Sequence, residues 1–224
     1  MIELLLPAAG VGFVVGFRHA FEPDHLAAVT TLATRERGLT QAARLGVAWG
    51  VGHTASVAVV AVVLILLGIR VPSRWYHLAE LGVAAMLILL GVGTLIVESR
   101  RHRRAFGQSH DEAHAHHLAH QHPVTVRSSS RALAFGIAHG LAGSGAVVIL
   151  LVAAASRMEE QVIYLTAFGA GTIAGMSLVS WLTGAAAQAV TQRNQIAAHW
   201  VRIGAACLSV MIGAALGADV LRTM

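Results

Sequence analysis

An imidazole–carboxylate cluster lies between residues 18 and 25, inside an otherwise apolar N-terminal segment. Its metal-binding residue types are His19, Asp24 and His25, and Arg18 and Glu22 add two further charges. Two imidazoles and a carboxylate form a ligand set for a borderline divalent transition metal. Ionisable side chains within a membrane-length apolar segment are costly, so they indicate a function more often than packing alone. The cluster therefore predicts a metal site, and a purely structural polar cluster is the alternative.

A straight helix would not bring these three ligands to one ion. At about 100° per residue, His19 and His25 would point roughly 120° apart, with Asp24 in a third direction. Pro23 lies between them; it donates no N–H, and its ring clashes with the carbonyl four residues earlier. We expect a kink or an unwound turn at this proline, so that the three side chains converge. Broken helices near the middle of the bilayer form the ion sites of many transporters.

Two further histidines lie in apolar segments. His53 follows Gly50 and Gly52, and small residues at these positions allow another helix to approach closely. His139 begins a glycine-rich run that contains no carboxylate. We expect both imidazoles to assist the first ligand set. A membrane histidine can instead hydrogen-bond a neighbouring carbonyl, and His139 can alternatively belong to the pathway of the ion.

The overall composition defines the class of protein. The residues are 56% hydrophobic and 12% charged, whereas soluble domains are about a quarter charged. All 16 basic residues are arginine, and the absence of lysine excludes a Walker A loop and hence an ATPase motor. The arginines lie at the ends of apolar segments, so nucleic acid is not an expected partner. The single cysteine, Cys207, excludes a disulfide within the chain.

Six apolar segments reach the length of about 20 residues that spans a bilayer. They cover residues 7–33, 40–69, 75–97, 131–155, 161–190 and 196–221. The fold class predicted is therefore an all-α, polytopic membrane protein with six transmembrane helices. We expect a first half over residues 1–98, a polar loop over residues 99–130, and a second half over residues 131–224.

Seven histidines lie in the polar loop. They are His102, His110, His114, His116, His117, His120 and His122. So many imidazoles in a short polar tract favour loose metal chelation over a fixed site, and a solvated linker is the alternative.

The distribution of arginines predicts the orientation in the membrane. One side of the predicted spans carries Arg35, Arg37, Arg44, Arg100, Arg101, Arg103, Arg104, Arg127, Arg131, Arg193 and Arg202. The other side carries only Arg70, Arg74, Arg157 and Arg222. The arginine-rich side is expected to be cytoplasmic, so both termini would lie outside a bacterial inner membrane.

An internal repeat relates the two halves. Gly16-x-x-His19 aligns with Gly136-x-x-His139, Trp49-Gly50-x-Gly52-His53 aligns with Phe168-Gly169-x-Gly171-Thr172, and residues 77–91 align with residues 199–213. The near-constant offsets argue against chance similarity between apolar helices. Because each half has three spans, the halves must insert with opposite topology, which predicts a 3+3 inverted repeat.

These residues resemble the nickel/cobalt transporter family of secondary metal permeases. The family signature, a histidine followed after four residues by Asp-His, stands here at residues 19–25, and Gly52-His53-Thr54 resembles a second family element. The glycine-rich run over residues 139–145 is similar to that of urease-accessory nickel permeases, although Ser144 stands where many members have an acidic residue. The resemblance covers nearly the whole chain and implies a metal site at the first signature and a cytoplasmic central loop.

The predicted function is a permease, not an enzyme, for uptake of Ni²⁺ into the cytoplasm, with Co²⁺ as a second candidate substrate. The metal ion is the substrate and no cofactor is expected; a cytoplasmic metal acceptor and a homo-oligomer are partners left open. Metal efflux is the first alternative. An intramembrane hydrolase is a weaker one, because His139 is poorly placed to activate Ser144 and no His-Glu-x-x-His motif is present.

Overall fold

The computed structural model describes residues 2–36, 38–67, 72–107, 125–142 and 157–224. Every regular element in these ranges is an α-helix. In chain order the helices are α1 (Ile2–His19), α2 (Pro23–Ala33), α3 (Leu39–Leu67), α4 (Ser73–Gly107), α5 (Thr125–Ala142), α6 (Met158–Arg193) and α7 (Gln195–Thr223).

The first predicted span is divided into two helices at the expected place. Helix α1 ends at His19, and α2 begins at Pro23, whose missing N–H costs nothing in a first helical turn. Glu22 precedes the proline in an extended conformation. Its N–H donates to the carbonyl of His19 at 3.1 Å, so a tight turn separates the two helices. The break predicted at Pro23 is confirmed.

Four helical segments are long and apolar enough to cross a membrane in the part of the chain that the structure describes. They are Leu39–Leu64, Arg74–Arg101, Met158–Arg193 and Gln195–Thr223. They agree with the predicted second, third, fifth and sixth spans, and they make the protein a polytopic helical membrane protein.

The predicted polar loop is partly helical. Helix α4 continues to Gly107, and α5 already begins at Thr125. The histidines from His110 to His122, and also Ser144 and the second part of the predicted fourth span, lie outside the described residues. The predictions made for them are therefore untested.

Helices from the two halves of the chain pack closely on one another. Gly16 of α1 lies against the carbonyl of Phe168 in α6, and a Cβ at Gly16 would collide with it. Gly136 of α5 lies in the same way against the carbonyl of Trp49 in α3. These glycines therefore bring α1 against α6 and α5 against α3 at backbone distance.

Helix α2 is short and largely buried. Ala28, Val29 and Thr31 are fully inaccessible. The hydroxyl of Thr31 donates to the carbonyl of Ala205 in α7 at 3.1 Å and to that of Ala27 at 2.7 Å. Helix α7 thus holds the C-terminal part of α2 in the interior, and His25 is the buried residue of its first turn.

Candidate metal centre

All five predicted ligands come together in the structure. His19 lies at the end of α1, Asp24 and His25 in the first turn of α2, His53 in α3 and His139 in α5. The exposed fraction is 6% for His19 and 0% for His25, His53 and His139. Buried imidazoles from four helices therefore surround one point where the first membrane segment is broken.

Three of the histidines form a compact group. Nε2 of His19 lies 3.3 Å from Nε2 of His53, and one nitrogen from each of His19, His25 and His53 lies within 4.8 Å of the others. Two donors bound to one ion at about 2.1 Å would lie roughly 3 to 4 Å apart. The spacing of these nitrogens is therefore compatible with shared binding of a single ion.

Asp24 links a second group of three. Its Oδ1 lies 3.0 Å from Nδ1 of His25, and its Oδ2 lies 3.0 Å from Nε2 of His139. Asp24, His25 and His139 also present their donor atoms within 4.8 Å of one another. Because His25 belongs to both groups, the two form one continuous cluster.

The contact with Asp24 orients the ring of His25. Its Nδ1 faces the carboxylate, while its Nε2 is buried and has no hydrogen-bond partner among the described residues. A carboxylate that holds one ring nitrogen fixes the tautomer and makes the other nitrogen a better metal ligand. Nε2 of His25 is thus free to bind an ion.

Glu22 contributes to the site in a way that the sequence analysis missed. Its Oε1 lies 2.9 Å from Nδ1 of His19, and its side chain is 49% exposed. It therefore does for His19 what Asp24 does for His25, leaving Nε2 of His19 directed towards His53. The sequence signal for this contact was the position of Glu22, three residues after His19 and next to Pro23.

Two buried aromatic side chains border the cluster. The ring of Phe168 lies 5.5 Å from that of His19, and the ring of Trp49 lies 5.7 Å from that of His139. Both aromatic residues are almost completely inaccessible. Phe168, in α6, thus covers His19, and Trp49, in α3, covers His139.

Close helix contact also positions His139 beside His53. Gly140 packs against the carbonyl of His53 and the hydroxyl of Ser56, and a Cβ there would overlap both. The imidazole centroids of His53 and His139 consequently lie 5.7 Å apart. A larger residue than glycine would separate the two helices that carry these histidines.

Apolar helices that can cross a membrane, a broken helix and a buried histidine cluster define the class of membrane transporters for metal ions. The chain belongs to the family described as high-affinity nickel-transport protein (NicO), which matches residues 5–218. It is 33% identical over 183 residues to the urease accessory protein UreH of Bacillus sp. (strain TB-90), covering 80% of this chain and 77% of that protein. No solved structure matches the chain. The predicted membership of a nickel-transporter family is confirmed.

Proposed function

We propose that this protein is a secondary permease that carries Ni²⁺, and also Co²⁺, into the cytoplasm. The observation that carries the proposal is that five buried or half-buried donor side chains form two groups of three between the helices, with His25 in both. The ligands are His19, Asp24, His25, His53 and His139.

The donor set supports a nickel-like ion. Imidazole suits nickel and related transition metals, and affinity for nitrogen and oxygen ligands rises from cobalt to nickel. Calcium and magnesium prefer oxygen ligands throughout, and this cluster offers only the carboxylate of Asp24 beside four imidazoles. Asp24 offsets half of the charge of a divalent ion, and the half-exposed carboxylate of Glu22 adds a second negative charge beside His19.

A 3+3 inverted repeat would provide the transport motion, and pairs of equivalent contacts support it. Gly52 of α3 lies against the carbonyl of Leu133 in α5. Gly171, which aligns with Gly52, lies against the carbonyl of Phe13, which aligns with Leu133. The same contact is therefore made twice, with the roles of the two halves exchanged, as inverted repeats require.

The aligned aromatic residues Trp49 and Phe168 would act as alternating barriers. Phe168 covers His19, and Trp49 covers His139. The two rings lie on different helices, α6 and α3, and in this proposal each would close the path of the ion on one side of the cluster. Rocking of one half against the other would move one barrier aside while the other stays in place.

The arginine distribution and the membrane potential favour uptake. With the arginine-rich side in the cytoplasm, a divalent ion that moves inward gains about 4.6 kcal/mol per 100 mV, at about 2.3 kcal/mol per charge. Inward transport thus needs no ATPase.

The test is uptake of radioactive nickel at limiting concentration by cells that express the protein. His25→Ala should abolish uptake at equal membrane abundance, because His25 belongs to both groups of donors. The matched control is His77→Ala, which changes a histidine of α4 outside the cluster and should leave uptake unchanged. If cells with the intact protein accumulate less nickel than cells without it, the direction proposed is wrong.

A further inference from the structure

A polar cavity of about 390 Å³ lies away from the metal centre. It is formed where α2, α4 and α6 approach their C-terminal ends and α7 begins. Three arginines line it, Arg35, Arg101 and Arg202, together with the polar side chains of Gln188 and Thr191. In the orientation proposed above, this cavity would lie on the cytoplasmic side.

Glu98 holds two of the three arginines in place. Its carboxylate is almost completely buried, with Oε1 at 3.3 Å from Nη1 of Arg101 and 3.2 Å from Nε of Arg202. Its other oxygen lies 3.3 Å from Nδ1 of His199. One carboxylate thus orients two guanidinium groups and can neutralise only one of them.

Arg35 is not neutralised. It is half-buried, and no carboxylate of the described residues lies within ion-pair distance of it; Glu36 lines the cavity but pairs with none of the three arginines. Burial, and then the positive charge of Arg101, lower the pKa of Arg35, although Glu98 opposes this. Nε2 of Gln188 is a further buried donor without a hydrogen-bond partner among the described residues. The cavity therefore holds more positive charge and more donors than the chain satisfies.

We propose that this cavity binds a phosphate group. Guanidinium groups bind phosphate oxygens in pairs of parallel hydrogen bonds, and the amide of Gln188 and the hydroxyl of Thr191 can complete the shell. The same charges exclude a divalent cation, so the cavity is distinct from the nickel site. The phosphate can belong to an anionic lipid headgroup of the cytoplasmic leaflet or to a soluble phosphate compound. Binding would tie the end of α2, through Arg35, to α4 and α7.

The experiment measures thermal unfolding of the full-length protein, purified in a neutral detergent without nickel, by tryptophan fluorescence. One arm adds inorganic phosphate, with chloride at equal ionic strength as reference. The other compares nanodiscs of phosphatidylcholine with nanodiscs that also contain phosphatidylglycerol. Saturating binding to the native state should raise the Tm by several degrees. A shift in the first arm identifies a soluble phosphate, and a shift in the second identifies a lipid headgroup.

The variant that tests the site is Arg35→Gln, because Arg35 has no carboxylate partner whose loss would itself unfold the protein. A lost charge-assisted hydrogen bond should weaken apparent binding about tenfold or more. Arg44→Gln is the matched control, since it removes an exposed arginine of α3 outside the cavity. The proposal is overturned if neither phosphate nor phosphatidylglycerol raises the Tm. It is also overturned if they raise the Tm of Arg35→Gln as much as that of Arg44→Gln. Because nickel is absent, the outcome is independent of the transport function proposed above.

Discussion

Oδ2 of Asp24 lies 3.0 Å from Nε2 of His139, and this contact joins two residues 115 positions apart in the chain. The same carboxylate reaches His25, its neighbour in sequence, through its other oxygen. Asp24 therefore connects the signature in the first half of the chain with the glycine-rich run of the second half.

Asp24→Asn should abolish nickel accumulation while the protein still inserts. The change keeps the shape but removes the only negative charge among the five proposed ligands, where low polarity strengthens its attraction for a cation. The effect is measured by calorimetric titration of the purified protein with nickel and by nickel uptake in cells at matched protein abundance. Asp219→Asn, an exposed aspartate of α7, is the control. Near-normal uptake by Asp24→Asn would exclude it as a ligand.

Glu22→Gln should weaken nickel binding about 10- to 100-fold, the effect typical of groups that orient a ligand. The amide oxygen can still accept from Nδ1 of His19, so the loss should be smaller than for Asp24→Asn. Calorimetric titration of both variants gives the comparison. Glu36→Gln, at a carboxylate outside the metal centre, should bind like the unchanged protein. Equal losses in Glu22→Gln and Glu36→Gln would show only a general effect of negative charge.

His139→Ala should cut nickel transport severely, whereas Ser144→Ala should retain most of it. The imidazole of His139 is fully buried against Asp24, while a serine in a small-residue run usually serves helix packing. Radioactive uptake at matched expression compares the two variants. An inactive Ser144→Ala beside an active His139→Ala would reverse this ranking and favour a hydrolase assay.

Gly136→Ala should destabilise the protein and reduce nickel binding together. Its Cβ would overlap the carbonyl of Trp49, and overpacking of this kind costs about 1 to 3 kcal/mol. The shift of α5 would also move His139. Gly93→Ala is the matched control, because no atom lies within 4 Å of a Cβ there. Thermal unfolding and nickel titration should separate the two variants, and equal behaviour would contradict the packing argument.

Orientation can be tested by labelling single cysteines in a Cys207→Ala background. An impermeant thiol reagent added to intact cells should label Thr223→Cys and should not label Ser109→Cys. The reason is the excess of arginines on the side of the central loop. Labelling of Ser109→Cys from outside would reverse the assignment of the two surfaces.

The grouping of these side chains could be predicted because its signals are local or repeated, whereas their binding of a metal ion remains the proposal. His19, Asp24 and His25 lie within seven residues with a proline between them, and polar residues in an apolar segment stand out. His139 was found because it occupies the position of His19 in the second half. Glu22 was missed because its one signal, the spacing of three residues from His19, does not by itself distinguish a carboxylate that contacts the imidazole from a solvated one.

The arginine-lined cavity could not be predicted in this way. Glu98 meets His199 across 101 positions. His199 begins the repeat segment over residues 199–213, but that repeat pairs it with His77 and predicts no contact with Glu98. Only the packing of α4 on α7 joins them. The helical continuation of α4 to Gly107 was missed for a related reason: a helix that leaves the bilayer no longer needs apolar residues.

The packing of α1 on α6 and of α3 on α5 has a consequence for the biosynthesis and membrane insertion of the protein. Each of these helices finds its closest partner in the other half of the chain, so the half made first enters the bilayer without its partners. At about 5 to 20 residues per second, synthesis of the stretch from His53 to His139 takes about 4 to 17 s. During that interval His139, the second imidazole that contacts Asp24, has not been made, and Phe168 does not yet cover His19. The proposed metal centre can assemble only after the ribosome has added His139, and its cover is complete only after Phe168.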